Sequence, residues 1–313
     1  MAVTLKGRNF VSVKDFSTEE IRQTLQTAEQ LKLARYRGED RALLAGKTLV
    51  MIFQKPSLRT RVSFEAGMTR LGGHAIYLAP GDIKLGQRET TEDIAIVVSR
   101  MADLIMARTF GHDIVEDLAR HATCPVINGL SDHEHPCQIL ADLLTVYEKK
   151  RRLEGLRLVY LGDGNNVAHS LMYGGALTGM HVTVCTPAGY EPNAEVTAEA
   201  TRIGQATGAE IGVTGDVAAA TTGADVLYTD VWASMGQESE AEGRKGAFAG
   251  YQINAEVMKR AKPDAVILHC LPAHYGEEID YATSRLPNSA IFDQAENRLH
   301  AQNGLMVLLA GAR

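Results

Sequence analysis

Short apolar, β-branched runs alternate with longer segments whose apolar residues recur at helical spacing, along most of the chain. The runs Thr48–Phe53, Ala75–Leu78, Leu104–Arg108 and Pro125–Ile127, then Arg157–Leu161, His181–Cys185, Val226–Thr229 and Val266–Leu271, predict strands. Between them Ser57–Leu71, Thr91–Met101, Ile114–His121, Gln138–Lys150, Val167–Leu177, Ala194–Ala206 and Ala255–Ala261 predict amphipathic helices, and Asp293–Arg313 predicts a long final one. Strands alternating with helices are βαβ units, and βαβ units build parallel sheets with helices on both faces. Eight such strands form one wide sheet or two sheets of four. Two are expected, because the helix from Gln138 ends in Lys149-Lys150-Arg151-Arg152, Glu154-Gly155 follows, and a new strand begins at once. The charge run reads as a solvated helix end and the joint as a domain boundary. The fold class is therefore α/β, with two domains that are each a parallel sheet flanked by helices.

Composition narrows the function classes. With 313 residues, 45% hydrophobic and 22% charged, the chain is an ordinary globular one of about two domains. A net charge of −6 leaves no footprint for nucleic acid or an anionic membrane surface, although a local basic pocket for a small anion remains open. The apolar stretch Leu305–Ala310 is far short of a membrane span. Lys6 and Arg8 are followed by no apolar core, so no signal peptide is expected. Cys124, Cys137, Cys185 and Cys270 form no C-x-x-C pair, which suits reduced thiols and a cytoplasmic location.

The most informative segment is Lys55-Pro56-Ser57-Leu58-Arg59-Thr60-Arg61, directly after a strand. Pro56 stops the strand, Ser57 is a good N-cap, and a helix runs on to Gly72-Gly73. A helix N-terminus presents unpaired N–H groups and a partial positive charge, and here hydroxyls and guanidiniums are added to it. Arg61 reads as an i,i+4 partner of Glu65, whereas Arg59 and Thr60 read as an anion site. The segment is not a Walker A loop, and Gly162-Asp163-Gly164-Asn165-Asn166 lacks the third glycine of a dinucleotide fingerprint. His133 and His135 flank Glu134, but no third ligand stands at a plausible spacing, so no metal is expected.

Ser57-Leu58-Arg59-Thr60-Arg61 resembles the carbamoyl-phosphate signature of the transcarbamoylases. The matches continue in family order with Met106-Ala107-Arg108-Thr109, His135-Pro136-Cys137-Gln138, Gly162 to Asn166, Asp230 with Ser234-Met235-Gly236, His269-Cys270-Leu271-Pro272 and Gln294 to Arg298. The order is that of the ornithine branch, and the resemblance runs from about Leu5 to the C-terminus. It implies a transcarbamoylase fold with the active site in an interdomain cleft. Residues 1–150 would bind carbamoyl phosphate, with the helix 295–313 packing back on them, and residues 151–294 would bind L-ornithine. The reaction implied is attack of a neutral amine on carbamoyl phosphate, giving L-citrulline and phosphate within arginine biosynthesis, with no cofactor. By resemblance, Ser57, Arg59, Thr60, the backbone of Leu58 and Arg298 hold the phosphate. Arg108, His135 and Thr60 donate to the carbonyl oxygen, and Gln138 accepts from the carbamoyl NH2. Asn166, Asp230, Ser234, Met235, Cys270 and Leu271 receive ornithine, with a Cys270–Asp230 pair taking the amine's proton. The stretch from Gly236 to Gly246 reads as a mobile closing loop. A homotrimer or a multiple of trimers is implied, with the loop around Lys84 reaching a neighbouring subunit's carbamoyl phosphate.

The sequence also departs from the family pattern. Leu58 replaces a usual Thr, which removes a hydroxyl and keeps the backbone N–H. Lys84 stands where ornithine enzymes often carry Gln, and the aspartate branch uses a lysine from this loop. Tyr275 replaces a common Arg. The rival readings are a transcarbamoylase for aspartate or putrescine, a dinucleotide-dependent oxidoreductase, and a catalytically silent homologue. Asp230 with Ser234-Met235-Gly236 favours an amine over a second carboxylate, and Asn166 argues for an acceptor with an α-carboxylate.

Overall fold

The computed structural model describes residues 4–86, 88–233 and 241–311. Two compact units divide the chain, Met1–Leu144 with Glu296–Arg313, and Thr145–Ala295. The first contains α1 (Thr18–Tyr36), β1 (Thr48–Phe53), α2 (Leu58–Arg70), β2 (His74–Leu78), α3 (Pro80–Ile83), α4 (Thr91–Ser99), β3 (Leu104–Arg108), α5 (His112–His121), β4 (Val126–Leu130) and the start of α6 (Pro136–Lys150). Its sheet is parallel throughout, in the order β2-β1-β3-β4. Parallel strands covered on both faces read as unbroken apolar runs, and β3 is buried at every residue.

The second unit holds β5 (Arg157–Leu161), α7 (Asn166–Thr178), β6 (His181–Cys185), α8 (Ala194–Gly204), β7 (Ile211–Thr214), α9 (Val217–Thr221), β8 (Val226–Thr229), α10 (Ala241–Ala247), α11 (Ala255–Met258) and β9 (Val266–His269). The final helix, α12 (Ile291–Ala310), begins here and passes into the first unit at Glu296. The second sheet is also parallel, in the order β7-β6-β5-β8-β9. It has five strands where four were expected. The extra one, β7, is a half-exposed edge strand of four residues whose only strong apolar signals are Ile211 and Val213.

Helix α1 was likewise not expected. Ser17 and Glu20 form a capping box at its start, but the buried positions Ile21, Leu25 and Ala28 are scattered among polar residues and make a faint stripe. The basic end of α6 is less solvated than its charge run suggests. Lys150 bonds the Asp264 carboxylate at 2.7 Å with a side chain only 8% exposed, and Lys149 pairs with Asp293. Among the described residues, no helix is long and apolar enough to cross a membrane.

The strand orders fix where chemistry is presented. In an open parallel sheet, ligands bind beyond the strand carboxyl ends, where successive connections leave in opposite directions. That point lies between β1 and β3 in the first sheet and between β5 and β8 in the second. Close packing sets α12 against α1: a methyl on Gly304 of α12 would lie 2.8 Å from the Ala28 nitrogen and 2.9 Å from the Thr24 carbonyl of α1. Gly304→Ala is therefore expected to destabilise the protein by about 1–3 kcal/mol. The measurement is the urea midpoint, which falls if α1 and α12 are this tightly set and stays with the parent's if α1 can yield.

Candidate active site

The first half-site lies at the β1/β3 switch point. Pro56 leaves α2 to start at Leu58, with Ser57 extended as its N-cap and the Ser57 hydroxyl accepting from the Thr60 backbone N–H at 3.3 Å. Leu58 is 75% exposed, so losing the usual hydroxyl there removes no internal contact, while Arg59 is half-buried and Thr60 is fully buried. The Thr60 Oγ1 accepts from the Ser57 hydroxyl at 3.1 Å and from Arg298 Nη2 at 3.2 Å. Arg298, on α12 and 2% exposed, also donates to Gln138 Oε1 at 2.8 Å, and Gln138 Nε2 donates to Asp142 at 2.8 Å. The Gln138 carbonyl thus spends one lone pair on Arg298 and keeps the other.

Arg108 is the last residue of β3 and His135 directly precedes α6; both are buried. The β3–β4 register slips between Ala107 and Arg108, so that Arg108 faces Leu130 and Gly129 is passed over. A methyl on Gly129 would meet Met106 Sδ at 2.4 Å, so a larger residue here would have to displace the Met106 side chain. Burial first, and then the guanidiniums of Arg298, Arg108 and Arg59, hold the His135 imidazole well below its ordinary 6.5. At neutral pH it is an uncharged donor surrounded by cations, an environment that suits an anion and repels a metal ion. Arg61 bonds Glu65 at 3.0 Å, as expected. Lys84 is exposed and left-handed at the end of α3, and among the described residues it takes no part in the group around Thr60 and Arg298.

The second half-site lies at the β5/β8 switch point. Asp230 follows β8 and Cys270 follows β9, both buried, with the Cys270 thiol donating to Asp230 Oδ1 at 2.9 Å. The other carboxylate oxygen accepts from Asn165 Nδ2 at 3.2 Å, while Asn165 Oδ1 caps α7 by accepting from Val167 and Ala168 N–H. Asn166 is half-buried as the first residue of α7. The sequence reading singled out Asn166 and passed over Asn165, whose capping position is the signal that could have found it. Ser234, Met235 and Gly236 lie outside the described residues. The stretch expected to be loop up to Gly246 includes α10, and its Arg244 explains why: this buried guanidinium bonds Asp163 Oδ2 at 2.8 Å and the Trp232 carbonyl at 2.9 Å.

The expected strand Val266–Leu271 ends instead at His269, and Leu271 is left-handed (φ 59°) with a cis bond to Pro272. A hydrogen-bond chain holds this turn. The Leu271 N–H donates to His269 Nδ1 at 2.8 Å, which puts the ring proton on Nε2, where it faces Glu278 Oε1 at 2.9 Å. His269 and Glu278 are fully buried, and Glu278 also accepts from the His274 N–H. Asp230, His269 and Cys270 lie close enough together to suggest a cation site, but both nitrogens of His269 are already engaged. Tyr275 joins Tyr281 and Phe292 around the Arg285 guanidinium, with ring centroids 5.4, 4.6 and 4.9 Å from it, so the tyrosine serves as a packing face for a cation.

Two family models match the chain. Residues 8–148 match the carbamoyl-P binding domain of the aspartate/ornithine carbamoyltransferases, and residues 154–309 match their Asp/Orn binding domain. Ornithine carbamoyltransferase of Thermococcus kodakarensis is 53% identical over 311 residues, covering 99% of each chain. The chain belongs to the aspartate/ornithine carbamoyltransferase family. Another relative, ornithine carbamoyltransferase of Anoxybacillus flavithermus, is 54% identical over 98% of each chain. The solved ornithine carbamoyltransferase from Pyrococcus furiosus superposes with a TM-score of 0.97 at 52% identity over 99% of each chain. The fold is thus the carbamoyltransferase fold, two parallel sheets flanked by helices, as the sequence motifs implied.

The state of His135 in this carbamoyltransferase predicts a pH effect. Its folded value lies below the unfolded 6.5, so as pH falls the unfolded chain takes up the proton first. Stability is therefore lost as pH drops through and below 6.5, and His135→Gln should flatten that part of the curve. The check is denaturant unfolding of both proteins between pH 5 and 8, where matching slopes would overturn the assignment.

Proposed function

We propose that the protein transfers the carbamoyl group of carbamoyl phosphate to the side-chain amine of L-ornithine, forming L-citrulline and phosphate. The observation that carries this reading is the Cys270–Asp230 pair, a thiol donating to a buried carboxylate at 2.9 Å, in a chain that also holds an arginine-rich helix N-terminus. A carboxylate at the acceptor site attracts an amine and repels the second carboxylate of aspartate.

The chemistry follows from charge. The neutral amine attacks the carbonyl carbon, the new C–N bond forms, the bond from that carbon to the oxygen bridging to phosphorus breaks, and phosphate leaves with the electron pair and a proton from the attacking nitrogen. Ser57, Arg59, Thr60, the Leu58 backbone N–H and Arg298 would bind the phosphate and stabilise it as it departs. Arg108, neutral His135 and Thr60 would donate to the carbonyl oxygen as it gains charge, and losing one such donor typically raises a barrier by about 3 kcal/mol. The free lone pair of Gln138 would accept from the carbamoyl NH2. Asn166 and the segment with Ser234 and Met235 would meet the α-substituents, and the Leu271 turn would border the reacting carbon. An alkylamine titrates near 10.4, so about one molecule in a thousand is neutral at pH 7.4. Selecting that form costs roughly 4 kcal/mol. Asp230, with Cys270 against it, would bind the ammonium and take the proton as attack begins.

Assembly as a homotrimer or a multiple of trimers would give Lys84 its role, since an exposed loop lysine can add its charge to a neighbouring subunit's phosphate. A cytoplasmic location fits the free cysteines and the substrates. We assign the synthetic direction, because a relative from Pyrococcus furiosus, 52% identical over 311 residues, bears the name anabolic ornithine carbamoyltransferase.

The deciding assay offers labelled carbamoyl phosphate with ornithine, putrescine, aspartate or N-acetylornithine separately. Citrulline from ornithine, far above the other products, is the expected result; preference for another amine would move the acceptor assignment and keep the phosphate half. Cys270→Ser should lower kcat/KM for ornithine on the order of a hundredfold and shift its pH profile. An unshifted profile would remove Cys270 from the proton path.

A further inference from the structure

Glu134 lies next to His135 and is fully buried. Its carboxylate reaches the N-terminal segment. One oxygen accepts from the Ser12 hydroxyl, and the other accepts from the Val13 backbone N–H at 3.1 Å. Its backbone closes the loop between β4 and α6, with the Glu134 N–H on the Ser131 hydroxyl at 3.2 Å and the Ser131 N–H on the Glu134 carbonyl at 2.9 Å. The segment that receives the carboxylate is itself fixed. Phe10 N–H donates to the Val126 carbonyl at 2.8 Å, Asn128 N–H returns to Phe10, and Asn128 Nδ2 donates to the Val11 carbonyl at 2.9 Å.

We infer that Glu134 is a positioning residue for His135, locking the loop that carries the imidazole onto the N-terminal segment Phe10–Asp15. Packing alone asks for an apolar side chain at a site with no solvent exposure. A carboxylate there is expensive to bury and is compatible with folding only when its donors are in place, so its geometry is tightly specified. The loop has five residues between β4 and α6, and its last is His135; the Glu134 side chain anchors it to Ser12 and Val13. A donor to a developing oxyanion has to be placed within a fraction of an ångström, and a displacement of about 1 Å costs on the order of a hundredfold in rate. The inference rests on His135 acting as such a donor.

Three variants test it. Glu134→Ala should lower kcat on the order of tenfold or more, with the KM for ornithine within about twofold of the parent's. Glu134→Gln should recover most of the loss, because its carbonyl can face Val13 and its NH2 can donate to Ser12. In a His135→Ala background, Glu134→Ala should cost less than about twofold further, since the group it positions is gone. An equal loss in both backgrounds would make Glu134 a general stabiliser and overturn the inference. Should Glu134→Ala fail to fold, Ser12→Ala removes the same anchor from the other side. The ring nitrogen signals of His135, read by NMR in Ser12→Ala without any substrate, should shift from the parent's; unmoved signals would also overturn it. A parent with no turnover would instead sink the catalytic reading of His135, while the ring signals still judge the lock.

Discussion

A guanidinium taken out of water has to find acceptors, and the 2%-exposed Arg298 finds them on Thr60 and Gln138. These contacts tie α12 to the first turn of α2 and the first turn of α6. Two helix starts at this half-site are thus held by one cation from the far end of the sequence. Burial first, and then the same positive charge with those of Arg108 and Arg59, keeps His135 neutral. Cradle geometry and imidazole protonation therefore have a common source: burying like charges in one place that only an anion relieves.

The second unit answers with the opposite sign. Asp230 gathers a thiol and an amide, and Asp163 binds Arg244, so these two acidic side chains at the carboxyl edge of that sheet are each held by a donor. The turn after β9 is kept in an unusual backbone shape by a buried imidazole and carboxylate. Each unit thus specifies a charge preference through side chains that are themselves held by hydrogen bonds.

Much of this was readable in the sequence, because parallel sheets write buried strands as apolar runs and their loops carry the polar motifs. The strands β1, β3, β5 and β8 and the N-cap at Ser57 follow from local composition. What escaped has physical reasons. Edge strand β7 and helix α1 bury too little to make a strong periodic signal. Asn165 reads as an ordinary cap, and its bond to Asp230 joins positions 65 residues apart. Glu278 and Arg244 act through partners that no spacing rule connects to them. Lys150 looked solvated because a charge run does not reveal a distant Asp264.

The first unit is discontinuous: Met1–Leu144 needs Glu296–Arg313 to be complete. During synthesis, the residues of the second unit are all polymerised before Arg298 leaves the ribosome. Until then Thr60 and Gln138 lack their common cation, and the groove on α1 that receives Gly304 stays open to water. A domain that folds N-terminal first is here obliged to wait for its final helix. The bonded group of Thr60, Gln138 and Arg298 is consequently among the last features to form, and a chain cut short before α12 has no means of assembling it.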